Sequence, residues 1–171
     1  TTRQPGSTFK ILAAYSAALD AGGLTLASVQ DDAPYTYAGA NGKSVNNYDR
    51  RYRGFTTLRE AITDSINIVT VKTLAQAGVS LGWQYVQEYG FTTVDSRDMN
   101  EALALGGITQ GVSNLELTAA YAAIANQGTY IKPKFYTKIL DHDGNVLIDN
   151  TTPESHTVIK DTTAWLLTSA M

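Results

Sequence analysis

There is no cysteine in the 171 residues. That excludes a disulfide framework, a thiolate nucleophile and a thiolate zinc site, and it is compatible with an oxidising compartment. Histidine is scarce. His142 and His156 are the only two, both in turn-rich sequence, so a Ser-His-Asp triad would have to recruit one of them. Neither charge sign dominates: the net charge is −3 and the isoelectric point about 5.3, so a nucleic acid is not the expected main partner. No apolar run approaches the ~20 residues that cross a bilayer, and no signal peptide opens the chain. A phosphate-cradling glycine-rich lysine loop, a dinucleotide fingerprint, an internal repeat and a low-complexity tract are all missing. What remains is 43% hydrophobic, enough for one compact domain with a real core.

The most informative stretch is Pro5-Gly6-Ser7-Thr8-Phe9-Lys10, because Ile11-Leu12-Ala13-Ala14-Tyr15 and the residues after it carry a strong helix pattern. Ser7 therefore lies at a helix start. Residues three apart stand on one helix face, so Lys10 Nζ can fold back toward Ser7 Oγ. A hydroxyl is a poor nucleophile until a neighbouring base takes its proton. Lysine serves as that base only where burial or a second cation lowers its pKa. Gly6 lets the chain turn tightly, and the N–H groups of the first helical turn would face an oxyanion. Ser-x-x-Lys on its own arises by chance on the order of once in such a chain, and an N-cap serine beside a solvated lysine has the same spacing.

The first helix is predicted over residues 7–21, ending at Gly22-Gly23. Residues 24–55 have no helical period; Asp31-Asp32, Pro34, Gly39, Asn41-Gly42 and Asn46-Asn47 read as turns in a loop-rich crossover with two short strands. Tyr48-Asp49-Arg50-Arg51-Tyr52-Arg53 could stack on a nucleic acid, but in an acidic chain it reads as a surface loop. A second helix opens at Thr56 or Thr57 with Glu60 in its first turn and runs to Ala77-Gly78, with Ser65 and Asn67 part of it or of a break within it. A third covers residues 81–89. The most regular, 114–126, is mostly Ala, Leu and Ile and is predicted to be fully buried. Phe135 to Leu140 and Val146 to Ile148 flank a polar turn as a hairpin, and Asp161 begins a last amphipathic helix.

Other constellations carry less. Asp141, Asp143 and Asn145 open like a calcium loop, but Val146 stands where glycine is needed and Thr152 where the bidentate glutamate is needed. Glu60 and Asp64 read as a solvated helix face. Ser65-Ile66-Asn67 is more useful: a hydroxyl to pass a proton, and an amide able to hold a lysine amine and a substrate carbonyl. Ser44-Val45-Asn46 has the same spacing, but Ser65 is preferred because a regular helix would position it.

Taken together, the Ser7–Lys10 stretch, Asn47-Tyr48-Asp49 with Tyr52-Arg53-Gly54, Thr57 to Ala61 with Ser65-Ile66-Asn67, Gly106-Gly107 and Gly111 to Ala122 resemble the transpeptidase domain of penicillin-binding proteins, most closely the bifunctional class A kind. The likeness runs in one order over most of the chain. It implies an α+β fold, of which this is the mostly helical part of a β-lactamase/transpeptidase-like domain with a hairpin. It implies that Ser7 attacks the carbonyl between two D-alanines of a peptidoglycan stem peptide and that a neighbouring stem amine takes the acyl group. Lys10 would be the base, Ser65 the proton shuttle, and Asn67 the ligand of Lys10 and of the substrate amide. β-Lactams would trap Ser7 as an ester. No cofactor or metal and no nucleic acid is implied, and the parent protein would be anchored at the extracytoplasmic face of a bacterial membrane.

Two departures from the family pattern matter. No Lys-Ser/Thr-Gly occurs, since Lys72-Thr73 is followed by Leu74; the resemblance implies that this motif lies on a strand beyond Met171. The chain is therefore read as an incomplete domain of a longer protein, acylated slowly or not at all by itself. Nor does any glutamate (Glu60, Glu88, Glu101, Glu116, Glu154) sit in the Glu-x-x-Leu-Asn setting of a class A β-lactamase. Slow deacylation is expected, hence an antibiotic target and not a resistance enzyme. The alternative is a β-lactam-sensing domain of the same fold, acylated without turnover; a plain helical interaction domain would leave Ser7 and Lys10 dispensable.

Overall fold

The computed structural model describes residues 1–38 and 42–171; the expected turn residues Gly39 and Asn41 lie outside them. Chain order gives β1 (Thr2–Arg3), a 3-10 turn at Gly6–Thr8, a π-helical stretch at Ile11–Tyr15 and α1 (Ser16–Asp20). The π register has a local partner in sequence: Ser16 Oγ bonds back to Ile11 O at 2.9 Å. β2 (Val29–Asp32) pairs antiparallel with β5 (Gly54–Thr57), and β3 (Tyr35–Thr36) with β4 (Ser44–Val45). The crossover expected to hold two strands is thus folded into two nested antiparallel ladders.

α2 (Leu58–Thr63) opens on a full capping box, Thr57 Oγ1 taking the Glu60 N–H while the Glu60 carboxylate takes the Thr57 N–H. Of the two readings open for the segment to Ala77, a continuous helix or one broken near Ser65, the structure has the break. α3 (Asn67–Ala77) starts anew, and α4 (Val79–Glu88) follows Gly78, whose φ of +108° only glycine adopts without strain. Two 3-10 turns (Ser96–Asp98, Glu101–Leu105) lead to β6 (Val112–Ser113), which pairs with β1. α5 (Asn114–Ala125) opens on another capping box, Ser113 with Glu116. β7 (Thr129–Ile131) pairs with β10 (Ser155–Thr157), and β8 (Lys138–Leu140) with β9 (Val146–Asp149) as the expected hairpin, before α6 (Asp161–Ala170).

The core is built around residues 9–18 and α3. Phe9, Leu12, Ala13, Ala14 and Tyr15 are fully buried, and Phe9 meets Phe91 edge-on at 5.0 Å. Tyr15 and Ser16 place hydroxyls in this core and satisfy them on Thr70 and Tyr89, both at 2.9 Å, so burial leaves no orphan donor. α5 departs from expectation: only Ala119, Ala120, Ala123 and Ile124 are buried, and Leu115 is 44% exposed. Its small apolar composition does not by itself make a face, and one side stays in solvent.

Candidate active site

Ser7 is exposed on the 3-10 turn, while Lys10, one turn on, is only 3% exposed. The turn is pinned from behind. Gly6 has φ +59°, and Gly106, at φ +73°, is packed so closely that a Cβ would stand 2.5 Å from Gly6 O. Gln4 exchanges two hydrogen bonds with the Ile108 backbone, accepting from its N–H at 3.0 Å and donating to its carbonyl. Tyr121 donates from α5 to Thr8 O at 2.6 Å. The glycines at 106 and 111 are therefore there for close approach, since a Cβ on Gly111 would meet Arg3 O at 2.6 Å.

Lys10 does not fold back onto Ser7. Its Nζ donates to Asn67 Oδ1 at 2.6 Å, to Ser65 O at 2.5 Å and to Ser65 Oγ at 2.9 Å, and among the described residues no hydrogen bond joins it to Ser7. Two of these acceptors are obligate: a carbonyl, and an amide oxygen whose identity is fixed because Asn67 Nδ2 donates to Asn46 O at 2.7 Å. The third, a hydroxyl, can accept or donate. A neutral amine is thus fully satisfied here, with two N–H groups on the obligate acceptors and its lone pair available to a hydroxyl proton. Burial pushes the Lys10 pKa down from 10.5 to about 8, because desolvation disfavours the ammonium.

Ser65 is not embedded in a regular helix, contrary to the sequence expectation. It has φ +53° and follows the end of α2. Ile66 N–H bonds Ala61 O at 2.9 Å and Ser65 N–H bonds Ile62 O at 3.1 Å, the two bonds of a Schellman cap with Ser65 in the left-handed position usually given to glycine. A side chain there costs on the order of 1 kcal/mol. The corner turns the Ser65 carbonyl and hydroxyl together onto Lys10, which a continuing helix, with its carbonyls directed along the axis, would not do.

The structure therefore brings Lys10, Ser65 and Asn67 into direct contact, with Ser7 one helical turn from Lys10 and outside that set. His142 and His156 are elsewhere, beside Asp143 and on Glu88. Asp141, Asp143 and Asn145 form a self-bonded hairpin turn, and among the described residues no His, Asp and Glu group has metal-binding geometry. The loop bearing Tyr48 and Arg50 to Tyr52 is exposed. Asn46 and Asn47, read from sequence as turn residues, prove to bond Asn67, and Asp32, read the same way, is buried behind them on Asn47; a polar side chain gives no local sign of whether it is solvated or buried.

The family model for the penicillin-binding protein transpeptidase domain matches residues 1–171. This chain belongs to the penicillin-binding transpeptidase family. Penicillin-binding protein 1F of Bacillus subtilis (strain 168) is 40% identical over 166 residues, covering 97% of this chain and 22% of that protein. Penicillin-binding protein 1A of Neisseria meningitidis serogroup B is 38% identical over 148 residues, 84% of this chain and 18% of that protein. The transpeptidase chain thus spans about a fifth of the length of these curated relatives. The crystal structure of penicillin-binding protein 1A from Haemophilus influenzae superposes with a TM-score of 0.84 at 28% identity, over 99% of this chain and 29% of that one. PonA1 of Mycobacterium tuberculosis in complex with penicillin V has the same fold, with a TM-score of 0.84 at 24% identity over 100% of this chain and 47% of that one. The α+β fold expected from sequence is that of these domains.

Proposed function

We propose that this segment carries the acylation machinery of a serine D,D-transpeptidase that cross-links peptidoglycan stem peptides and is a target of β-lactams. The observation that carries the reading is the Lys10 amine: buried, its pKa lowered, and held by Ser65 and Asn67 one helical turn from an exposed serine. In this mechanism Ser7 Oγ attacks the carbonyl between the two terminal D-alanines as neutral Lys10 takes its proton. The Lys10–Ser65 hydrogen bond then carries that proton to the departing amine, releasing the last D-alanine and leaving an acyl-serine ester. An amine of a neighbouring stem attacks the ester and closes the cross-link.

Asn67 Oδ1 orients the lysine, and the N–H groups opening the first helical turn face the oxyanion. No cofactor takes part. Support for β-lactam binding comes from related structures, among them PonA1 in complex with penicillin V and penicillin-binding protein A of M. tuberculosis as its imipenem acyl-enzyme. The setting is proposed to be the extracytoplasmic face of the membrane, anchored through parts of the protein outside this segment; none of the helices described is long and apolar enough to span a bilayer.

The Lys-Ser/Thr-Gly strand is proposed to follow this segment and to supply a second oxyanion donor. Losing one such donor costs on the order of a hundredfold or more, so the 171-residue chain alone should label slowly. The experiment is intact mass after benzylpenicillin, on this chain and on the full-length protein, each with a Ser7→Ala control. A stoichiometric adduct on full-length protein that Ser7→Ala abolishes is expected. Full-length protein that takes no adduct sinks the function, and rapid stoichiometric labelling of the short chain sinks the missing-strand argument.

A further inference from the structure

Asp32 is a carboxylate with no solvent exposure, and no step of the acyl transfer uses it. Both its oxygens accept from Asn47 Nδ2, at 2.8 and 3.0 Å, and Oδ2 also takes the Arg53 N–H at 2.9 Å. The Arg53 guanidinium stands 3.9 Å away, so the buried charge is both hydrogen-bonded and partnered, as burial requires. Asn47 Nδ2 donates to Arg51 O as well, at 2.8 Å. Its amide cannot flip without turning an oxygen onto a carboxylate and a carbonyl.

Asn47 Oδ1 is thereby aimed the other way, at the N–H groups of Asn67 (3.0 Å) and Ile68 (3.2 Å). These open α3, and Ile66, at its N-cap, has no side-chain acceptor to offer. Asn47 supplies the cap from 20 residues upstream. Its neighbour Asn46 holds Asn67 Nδ2. Asn67 is gripped at its backbone nitrogen and at its side-chain nitrogen, which leaves Oδ1 facing Lys10.

We infer that Asp32 and Asn47 are positioning residues for the Lys10–Ser65–Asn67 set: the buried carboxylate fixes the Asn47 amide, the amide caps α3, and the cap keeps Asn67 and the left-handed Ser65 corner on the lysine amine. The catalytic consequence rests on the acyl-transfer reading; the positioning itself does not. Loosening the corner would admit water to the lysine and weaken the contacts that orient it.

The test uses Asn47→Ala and Asp32→Asn, with Tyr85→Phe as a control that removes the Tyr85–Asp20 hydrogen bond elsewhere. Amide exchange at Asn67 and Ile68 and the Lys10 side-chain titration are followed by NMR, and acylation of the full-length protein by fluorescent penicillin. Both network variants should exchange at least tenfold faster at Asn67 and Ile68, with Val71 unchanged. They should shift the Lys10 midpoint upward by half a pH unit or more and acylate at least tenfold more slowly, while the control does none of this. Should Asn47→Ala fail to fold, Asp32→Asn keeps the volume and one acceptor and carries the same measurements. Unchanged exchange and an unchanged Lys10 midpoint overturn the inference. So does faster exchange with an unmoved Lys10, which is capping without positioning, and so do variants that label at the wild-type rate. A full-length wild type that does not label, with Lys10 midpoints that still move in the variants, sinks the acyl-transfer reading and upholds the positioning.

Discussion

The acylation rate should follow the ionisation of Lys10, and the perturbation is pH. Lowering its pKa from 10.5 to about 8 favours the neutral amine by about 3 kcal/mol, raising its share near neutral pH about 300-fold over an exposed lysine. At pH 6 about one lysine in a hundred would be neutral, at pH 8 about half, so the rate should rise about fifty-fold across that interval and level off near pH 9. The assay is the second-order rate of Ser7 labelling by a fluorescent penicillin on full-length protein, from pH 5.5 to 9.5, corrected for alkaline loss of the reagent. Lys10→Arg keeps the charge and cannot give up the proton, so its rate should be lower by a thousandfold or more and should not show the inflection. A wild-type profile flat between pH 6 and 8, or an inflection that persists in Lys10→Arg, would refute the assignment of the base. The same shift has a stability sign. With the folded pKa below the unfolded one, the unfolded chain binds more protons between pH 8 and 10.5. Lys10 therefore costs stability in full below pH 8, and that cost fades as pH rises to 10.5. Chemical denaturation of wild type against Lys10→Met should show the difference shifting in favour of wild type over that window.

Three further outcomes follow from local geometry. Ser65→Gly should melt higher than Ser65→Ala, by an amount equivalent to about 1 kcal/mol, because both lose the hydroxyl but only glycine relieves the positive φ; the reverse order in thermal melts would remove the strain argument. Gly106→Ala should lose 2 kcal/mol or more, an order-of-magnitude figure for forcing a methyl against Gly6 backbone atoms at a positive φ; a melting curve indistinguishable from wild type would contradict the close approach. Thr57→Ala removes one half of the α2 capping box and should cost about 1 kcal/mol by urea denaturation, with no change if Thr57 is not the cap.

The elements legible in the sequence are those with local causes. Thr57 with Glu60 places the start of α2 because a cap is decided within four residues. The 114–126 pattern lands on α5 (Asn114–Ala125), and the Phe135–Ile148 alternation around a Gly-containing turn lands on the β8–β9 hairpin. Ser7-x-x-Lys10 and Ser65-x-Asn67 could be picked out as pairs of residue types, and their company along the chain pointed to a family. Distance in the chain is where local reading stopped. Ser65 could be read as helix or as a break within it, because nothing beside it says that a non-glycine residue will take the left-handed place of a Schellman cap; the partner that its carbonyl meets there, Lys10, lies 55 positions earlier. Which way Lys10 turned, toward Ser7 or toward Ser65 and Asn67, was likewise left open by spacing and settled by where α3 packs. Asn47 and Asp32 read as turn residues because burial of a polar group depends on partners brought up by the fold, and its cost is met only there. The burial of α5 was overstated for the same reason: composition sets how apolar a helix is, and only its neighbours set which face is covered.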